Sequence, residues 1–157
     1  YDLILFSESF QYVKLHESLE KIEQMLQKGS HLLICDFFRR DISGKSPMGG
    51  GHSWITFNKI IDSLSLKKLI DLDITYETAP TIDLLAQFNS DVVSPIARMI
   101  GEYFIGNYPK ISKIIKWKYN KKLEKIHKIY LSGEVNGKSF TKYKEYHLMV
   151  FSSLNQS

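Results

Sequence analysis

The chain is poor in cysteine and proline, and no part of it is uniformly apolar for long. Its one cysteine, Cys35, excludes an internal disulfide and a multi-cysteine metal site, so a reducing, cytoplasmic setting is the expectation. Nowhere do the roughly 18 consecutive apolar residues of a membrane-spanning helix occur. The chain opens on Tyr1 within a strand-like run, without the basic region and apolar stretch of a secretory leader. That opening suggests that an upstream part precedes it. Internal repeats, low-complexity tracts and Pro/Gly-rich linkers are missing too, which leaves no sequence boundary for a second domain. What is present is ordinary globular composition: 157 residues, 43% hydrophobic and 24% charged, enough for a core and too apolar for wholesale disorder.

Hydrophobic patterning then predicts the elements. Residues 1–6 (YDLILF) and 31–38 (HLLICDFF) are short, nearly continuous apolar runs of the kind buried on both faces of a parallel sheet. Between them a helix to about Lys28 places Leu15, Leu19, Ile22 and Leu26 on one side, with Gly29 as its stop. Two such strands joined by a crossover helix form a right-handed βαβ unit, so the class is α/β. A loop containing Gly49–Gly50–Gly51 follows, then a helix capped by Ser53, and an alternating strand over 68–75 nearer the sheet edge. Thr81 is expected to cap a further helix after Pro80, interrupted around 89–95 and resuming to Gly106. A lysine-rich helix is expected from about Pro109 to Leu131, a turn at Gly133 and Gly137, and a final strand over 144–152. The helical stretch before a last strand is a common way to build a lid over a ligand site.

Charge is concentrated. Eight lysines and one acid between Lys110 and Lys128 give that segment +7, although the whole chain carries +4. Ile111, Ile115, Tyr119, Leu123, Ile126 and Tyr130 recur at helical spacing, which predicts one buried face and a solvated lysine face. The competing reading is a stripe that meets phosphates, acidic lipid or an acidic partner. Trp117 is the only good stacking aromatic among these lysines, so nucleic acid is not the expected partner.

In an open α/β sheet, ligands sit beyond the C-terminal ends of parallel strands. Those ends are Ser7–Glu8–Ser9, Asp36 to Arg40, and Thr75 onward. Here the sequence resembles a known family. Asp2 to Val13 (DLILFSESFQYV) looks like the fourth strand and following loop of class I S-adenosylmethionine-dependent methyltransferases: an acid, an apolar strand, a small polar residue, Glu, then an aromatic. Leu26 to Asp36 (LQKGSHLLICD) is similar to that family's turn and fifth strand, with Lys28-Gly29-Ser30 in place of the more frequent Pro-Gly-Gly. The segment from Gly51 to Asp83 resembles small-molecule methyltransferases with a helical lid before the last strand. Lys144 to Ser152 fits the family's antiparallel last strand, inserted between the fifth and sixth.

The resemblance implies the C-terminal half of a Rossmann-like methyltransferase sheet, parallel strands plus a final antiparallel one, with 81–131 as an inserted lid. The chain as a whole, 1–157, is then a single domain fragment. The glycine-rich loop after the family's first strand, and the acid ending its second, have no counterpart here. Glycines 49 to 51 do not replace that loop, because they follow a fifth-type strand. The implied function is methyl transfer from S-adenosyl-L-methionine to a small-molecule acceptor. The fragment alone is expected to be inactive, with its first strand covered by a missing N-terminal half or a second chain. Two alternatives stand beside it: a non-catalytic Rossmann-like module binding an acidic partner, and an RNA methyltransferase using the lysine helix.

Few residues are dedicated to such chemistry, because the enzyme mainly aligns two reactants and removes a proton. Phe6, Ser7 and Glu8 lie where the family's post-strand loop passes the cofactor, and Glu8 is suited to the methionine ammonium; as bare sequence they are a polar loop before a helix. Gln11, Tyr12, Asp36, Phe38, Arg39 and Trp54 are candidates for the acceptor pocket, with packing, loop capping or a solvated arginine as the plainer roles. Arg39 and Arg40 suit a carboxylate or phosphate on the acceptor. His52 is the general-base candidate, because imidazole is the side chain best suited to take up a proton at physiological pH and this one follows a glycine loop. His16, His31, His127 and His147 lack partners at ligand spacing, so no metal is expected.

Overall fold

A computed structural model describes residues 1–44, 46–126 and 133–154. Four strands form one sheet: β1 (Leu3–Ser7), β2 (His31–Arg39), β3 (Leu66–Asp73) and β4 (Lys144–Ser153), in the order β1-β2-β4-β3. β1 pairs with β2 in parallel, Leu3 against His31 through Ser7 against Cys35. β4 runs antiparallel to both β2 and β3, so it is the reversed strand inserted between two that share a direction. This is the arrangement expected of the second half of a class I methyltransferase sheet. The first two β segments lie side by side in the same direction, as the βαβ reading requires.

Helices α1 (Leu15–Met25) and α2 (Trp54–Ile61) supply the core that covers one sheet face. Leu19, Ile22 and Leu26 meet Leu32, Ile34, Phe57, Ile61, Met149 and Phe151 there, each nearly or fully buried. α1 stops earlier than predicted because Leu26 turns extended (ψ 130°) and drops into this core, after which Gly29 (φ 80°) makes the turn. Ser53 caps α2 as expected, its Oγ accepting from Thr56 N at 3.1 Å.

Among the described residues the opposite face is left largely uncovered. Register aligns Leu5, Leu33, Val150 and Ile70 in one row across all four strands, and Cys35, Leu148 and Leu72 in the next. Leu3, Leu5, Ile70 and Leu72 are 45–58% exposed. At one end of the sheet β1 has a single neighbour, so its outer backbone groups form an open edge. β3, predicted as the more peripheral strand, is the other edge.

The chain divides into two compact units, Tyr1–Thr78 with Thr141–Ser157, and Ala79–Phe140. The second unit departs from the predicted elements in several places. α3 (Thr75–Phe88) begins before Thr81 and contains Pro80 at its sixth position, past the first turn, where the ring removes one helical hydrogen bond and crowds the carbonyl four residues earlier. The predicted interruption is a π-turn (Asn89–Val93) that leads directly into α4 (Ser94–Asn107), where Pro95 sits in the first turn and so needs no N–H partner. α5 (Pro109–Ile126) carries the lysines; its predicted continuation to Leu131, with Tyr130, lies outside the described residues. Gly137 opens a short helix, α6 (Gly137–Tyr143), rather than a turn, with its N–H donating to Asp83 Oδ1 at 2.7 Å. The apolar stripe of α5 is not buried: Ile111, Ile115, Tyr119, Leu123 and Ile126 are 41–51% exposed. Among the described residues of 79–140 only Gly137 and Phe140 are buried. No described helix is long and apolar enough to cross a membrane.

Candidate functional site

The C-terminal ends of β1 and β2, and the start of antiparallel β4, meet at one rim of the sheet. β1 ends in Ser7 and Glu8, and Glu8 takes a left-handed backbone conformation (φ 53°) that turns the chain sharply off the strand. The Glu8 N–H still donates to Cys35 O at 3.0 Å, so the turn begins while attached to β2. The chain then closes a 3-10 turn over Phe10–Tyr12.

Asp36 fixes that turn. It is 1% exposed, and its carboxylate accepts Gln11 N at 3.1 Å and Phe37 N at 2.8 Å. Phe10 points inward to full burial, edge-on to Phe6, Phe57 and the His52 ring. His52 completes the link, with Nε2 2.9 Å from Phe10 O. A carbonyl only accepts, so Nε2 carries the proton and the basic lone pair of the neutral ring lies on Nδ1.

The glycine loop is draped across this rim. Gly50 (φ 75°) and Gly51 (φ 77°) lie against the Phe37 ring, and a Cβ on Gly51 would come 3.1 Å from it. The Gln11 side chain reaches over Gly50. Thus Gln11, Arg39 and His52 come to one rim with the Phe6–Glu8 loop, Arg39 through its N–H to His52 O at 2.7 Å. Tyr12, on the same turn, is 81% exposed. Phe38 and Trp54 go to the covered face instead. Phe38 is fully buried and packs against Phe57, and Trp54 stacks on His147 at 4.0 Å. His147 Nδ1 lies 2.7 Å from Asp71 Oδ1. Among the described residues no group of three or more His, Cys, Asp or Glu side chains is placed to hold a metal ion.

Two residues at this rim escaped the sequence reading. Tyr146 O–H donates to Glu8 Oε1 and receives the Cys35 thiol at 3.7 Å; burial and then these two contacts push its hydroxyl pKa up. Lys144, the first residue of β4, is 1% exposed. Its ammonium donates to Gly49 O at 3.3 Å and to Gly50 O, and lies 5.0 Å from the Phe37 ring centre. Burial, and then the Arg39 charge, bring its pKa down to about 8. Neither residue has a sequence signal, since their partners lie about a hundred positions away.

A pH effect follows from Lys144. Below about pH 8 the folded chain must carry a charge that burial disfavours. Above it the folded state releases the proton, while the unfolded lysine holds its own until near the ordinary lysine value of 10.5. Stability from this group therefore rises with pH across that window. Glu145, whose own pKa burial raises, and Arg40, Asp41 and Arg39 are the other charged groups close by. Thermal melts at pH 7 and 9 are expected to show a larger gain for wild type than for Lys144→Met; equal gains would contradict this assignment.

No family model matches the chain, and no curated protein matches it. Solved structures do. Geranyl diphosphate C-methyltransferase from Streptomyces coelicolor, solved with Mg2+, geranyl diphosphate and S-adenosyl-L-homocysteine, superposes with a TM-score of 0.58 at 15% identity, covering 97% of this chain and 48% of that one. An O-methyltransferase from a trans-AT PKS multienzyme of Brevibacillus brevis, with S-adenosyl-L-homocysteine, gives 0.52 at 14% identity, covering 98% and 44%. The 4+2 cyclase SpnF gives 0.56 at 10% identity, covering 99% and 52%. The fold is therefore that of the S-adenosylmethionine-dependent methyltransferases, and the chain spans about half the length of the structures it matches. The cyclase among them means that this fold does not by itself fix the reaction.

Proposed function

We propose that the chain is the trailing half of an S-adenosylmethionine-dependent methyltransferase acting on a small molecule. The observation that carries this reading is the strand order β1-β2-β4-β3, with the one antiparallel strand inserted between two of like direction. In this reading the largely uncovered sheet face and the open edge of β1 are covered by the complementary half, in the same polypeptide or a second chain. On its own the chain is inactive, and residues 81–131 serve as the lid insertion of the complete enzyme. The protein works in the cytoplasm.

The residues at the rim suit one flank of the cofactor. Glu8 presents a carboxylate, steadied by Tyr146, at the end of β1, which is the right charge for an ammonium. Phe6, Ser7 and Glu8 would hold S-adenosylmethionine. When bound, that molecule supplies a methyl group on a positively charged sulfur that leaves as a neutral thioether. The chain's own work is alignment and proton removal. Gln11, Tyr12 and Arg39 border the acceptor. His52 Nδ1 takes the proton from a neutral oxygen or nitrogen acceptor. Asp36 acts as a positioning residue, since it anchors the turn over Phe10–Tyr12, while Phe38 and Trp54 pack behind the rim on the covered face.

The test is a thermal-shift titration of the full-length protein with S-adenosylhomocysteine, followed by an assay for transfer of labelled methyl. Ligand at a hundredfold over its Kd stabilises by about 2.7 kcal/mol, a shift of several degrees. An unmoved melting curve overturns the reading. Binding without methyl transfer to any acceptor tried would direct attention to the non-methylating chemistry this fold also supports.

A further inference from the structure

Beside the glycine loop lies a pocket of about 360 Å3, lined by Arg39, Arg40, Asp41, Ser46, Tyr143 and Lys144 among others. Among the described residues three cations and one carboxylate border it, and they are not equally engaged. Arg40 is 3.6 Å from Glu145 Oε2 and donates its Nε–H to Lys144 O at 3.1 Å. Asp41 accepts Ser53 Oγ at 2.7 Å. Among the described residues neither Arg39 nor Lys144 takes part in an ion pair. Arg39 is exposed, whereas Lys144 is buried with the Gly49 and Gly50 carbonyl oxygens and the Phe37 ring against its ammonium.

A buried ammonium without a counter-ion is costly, and a guanidinium next to it adds repulsion. Asp41 and Glu145, the nearby acids, are engaged with Ser53 and Arg40. An anion entering from the pocket side would meet the Arg39 fork and the Lys144 charge together, and would remove the repulsion between them. We infer that this pocket binds the carboxylate or phosphate of an anionic small molecule through Arg39 and Lys144. Naming that molecule as the methyl acceptor rests on the function proposed above. The glycine loop then has two tasks: its carbonyls hold Lys144 in place, and His52 follows directly on it.

Isothermal titration of the full-length protein with benzoate, phenyl phosphate and uncharged benzyl alcohol tests this. Saturable binding of at least one anion is expected, with no binding of the alcohol. Preference between benzoate and phenyl phosphate identifies which anionic group the pocket takes. Arg39→Gln, an exposed change that leaves the core alone, is expected to weaken anion binding about tenfold or more. Lys144→Met should do the same; if that variant fails to fold, Arg39→Gln decides alone. Absence of binding by either anion, or equal affinity in wild type and Arg39→Gln, overturns the inference. Binding of S-adenosylhomocysteine without anion binding removes this pocket alone. Anion binding without S-adenosylhomocysteine removes the methyltransferase reading alone.

Discussion

Phe10→Ala is expected to lower unfolding stability by about 3–5 kcal/mol, the cost of deleting a fully buried aromatic ring. The reason is more than lost area. Phe10 is the inward side chain of the turn after β1, and its ring meets Phe6 at 5.3 Å, His52 at 5.4 Å and Phe57 at 5.7 Å between centroids. Those neighbours come from a strand, a loop and a helix. Its removal therefore leaves a cavity that no single element can close by shifting. The same substitution loosens the backbone whose carbonyl receives His52, so the rim should become disordered before the sheet does. Urea denaturation measures the first effect, and the His52 ring resonances in NMR follow the second. Phe10→Leu, which keeps much of the volume, should cost less. A loss below about 1 kcal/mol for the alanine variant would mean that the ring is not packed as described.

Asp36→Ala should be nearly as damaging, at about 2–5 kcal/mol, because two backbone donors are left without their acceptor in a site from which water is excluded. Asp36→Asn does not rescue it fully. An amide has one accepting oxygen, and its NH2 group would face an N–H donor. The asparagine variant is expected to lie between wild type and alanine. Since Gln11 N is one of the two donors, the turn over Phe10–Tyr12 should be released in both variants. Amide exchange at Gln11 would rise well ahead of that in β2. Unchanged protection at Gln11 would show that the carboxylate is not its anchor.

The strands were legible in the sequence because the cause of a buried strand is local. LILF and LLICDFF are apolar enough to require cover on both faces, and the helix between them forces a parallel crossover. The Ser53 cap was legible for the same reason: its hydroxyl acts on Thr56, three residues away. The placement of Arg39 and His52 near the strand end also follows from chain order. The role of Asp36 was less clear, because an acid at a strand end anchors a ligand or a loop with the same side chain. Here it anchors a loop through Gln11, twenty-five positions earlier.

Periodicity along α5 announced an apolar face, and that face exists. Burial does not follow from periodicity, because burial requires a second surface; within 79–140 that surface is absent among the described residues. The largely uncovered row of Leu5, Leu33, Val150 and Ile70 makes the same point on the sheet.

By itself the sequence determined which segments are strands and helices, and which loop ends could carry chemistry, since these depend on neighbours a few residues apart. Only the tertiary structure decided that Tyr146 holds Glu8, that Lys144 is buried against the glycine loop, and that Trp54 belongs with His147. Each of those contacts joins residues some ninety to a hundred and forty positions apart, or depends on which side of the sheet a strand turns. The register of β4 between β2 and β3 sets both, and no local pattern encodes it.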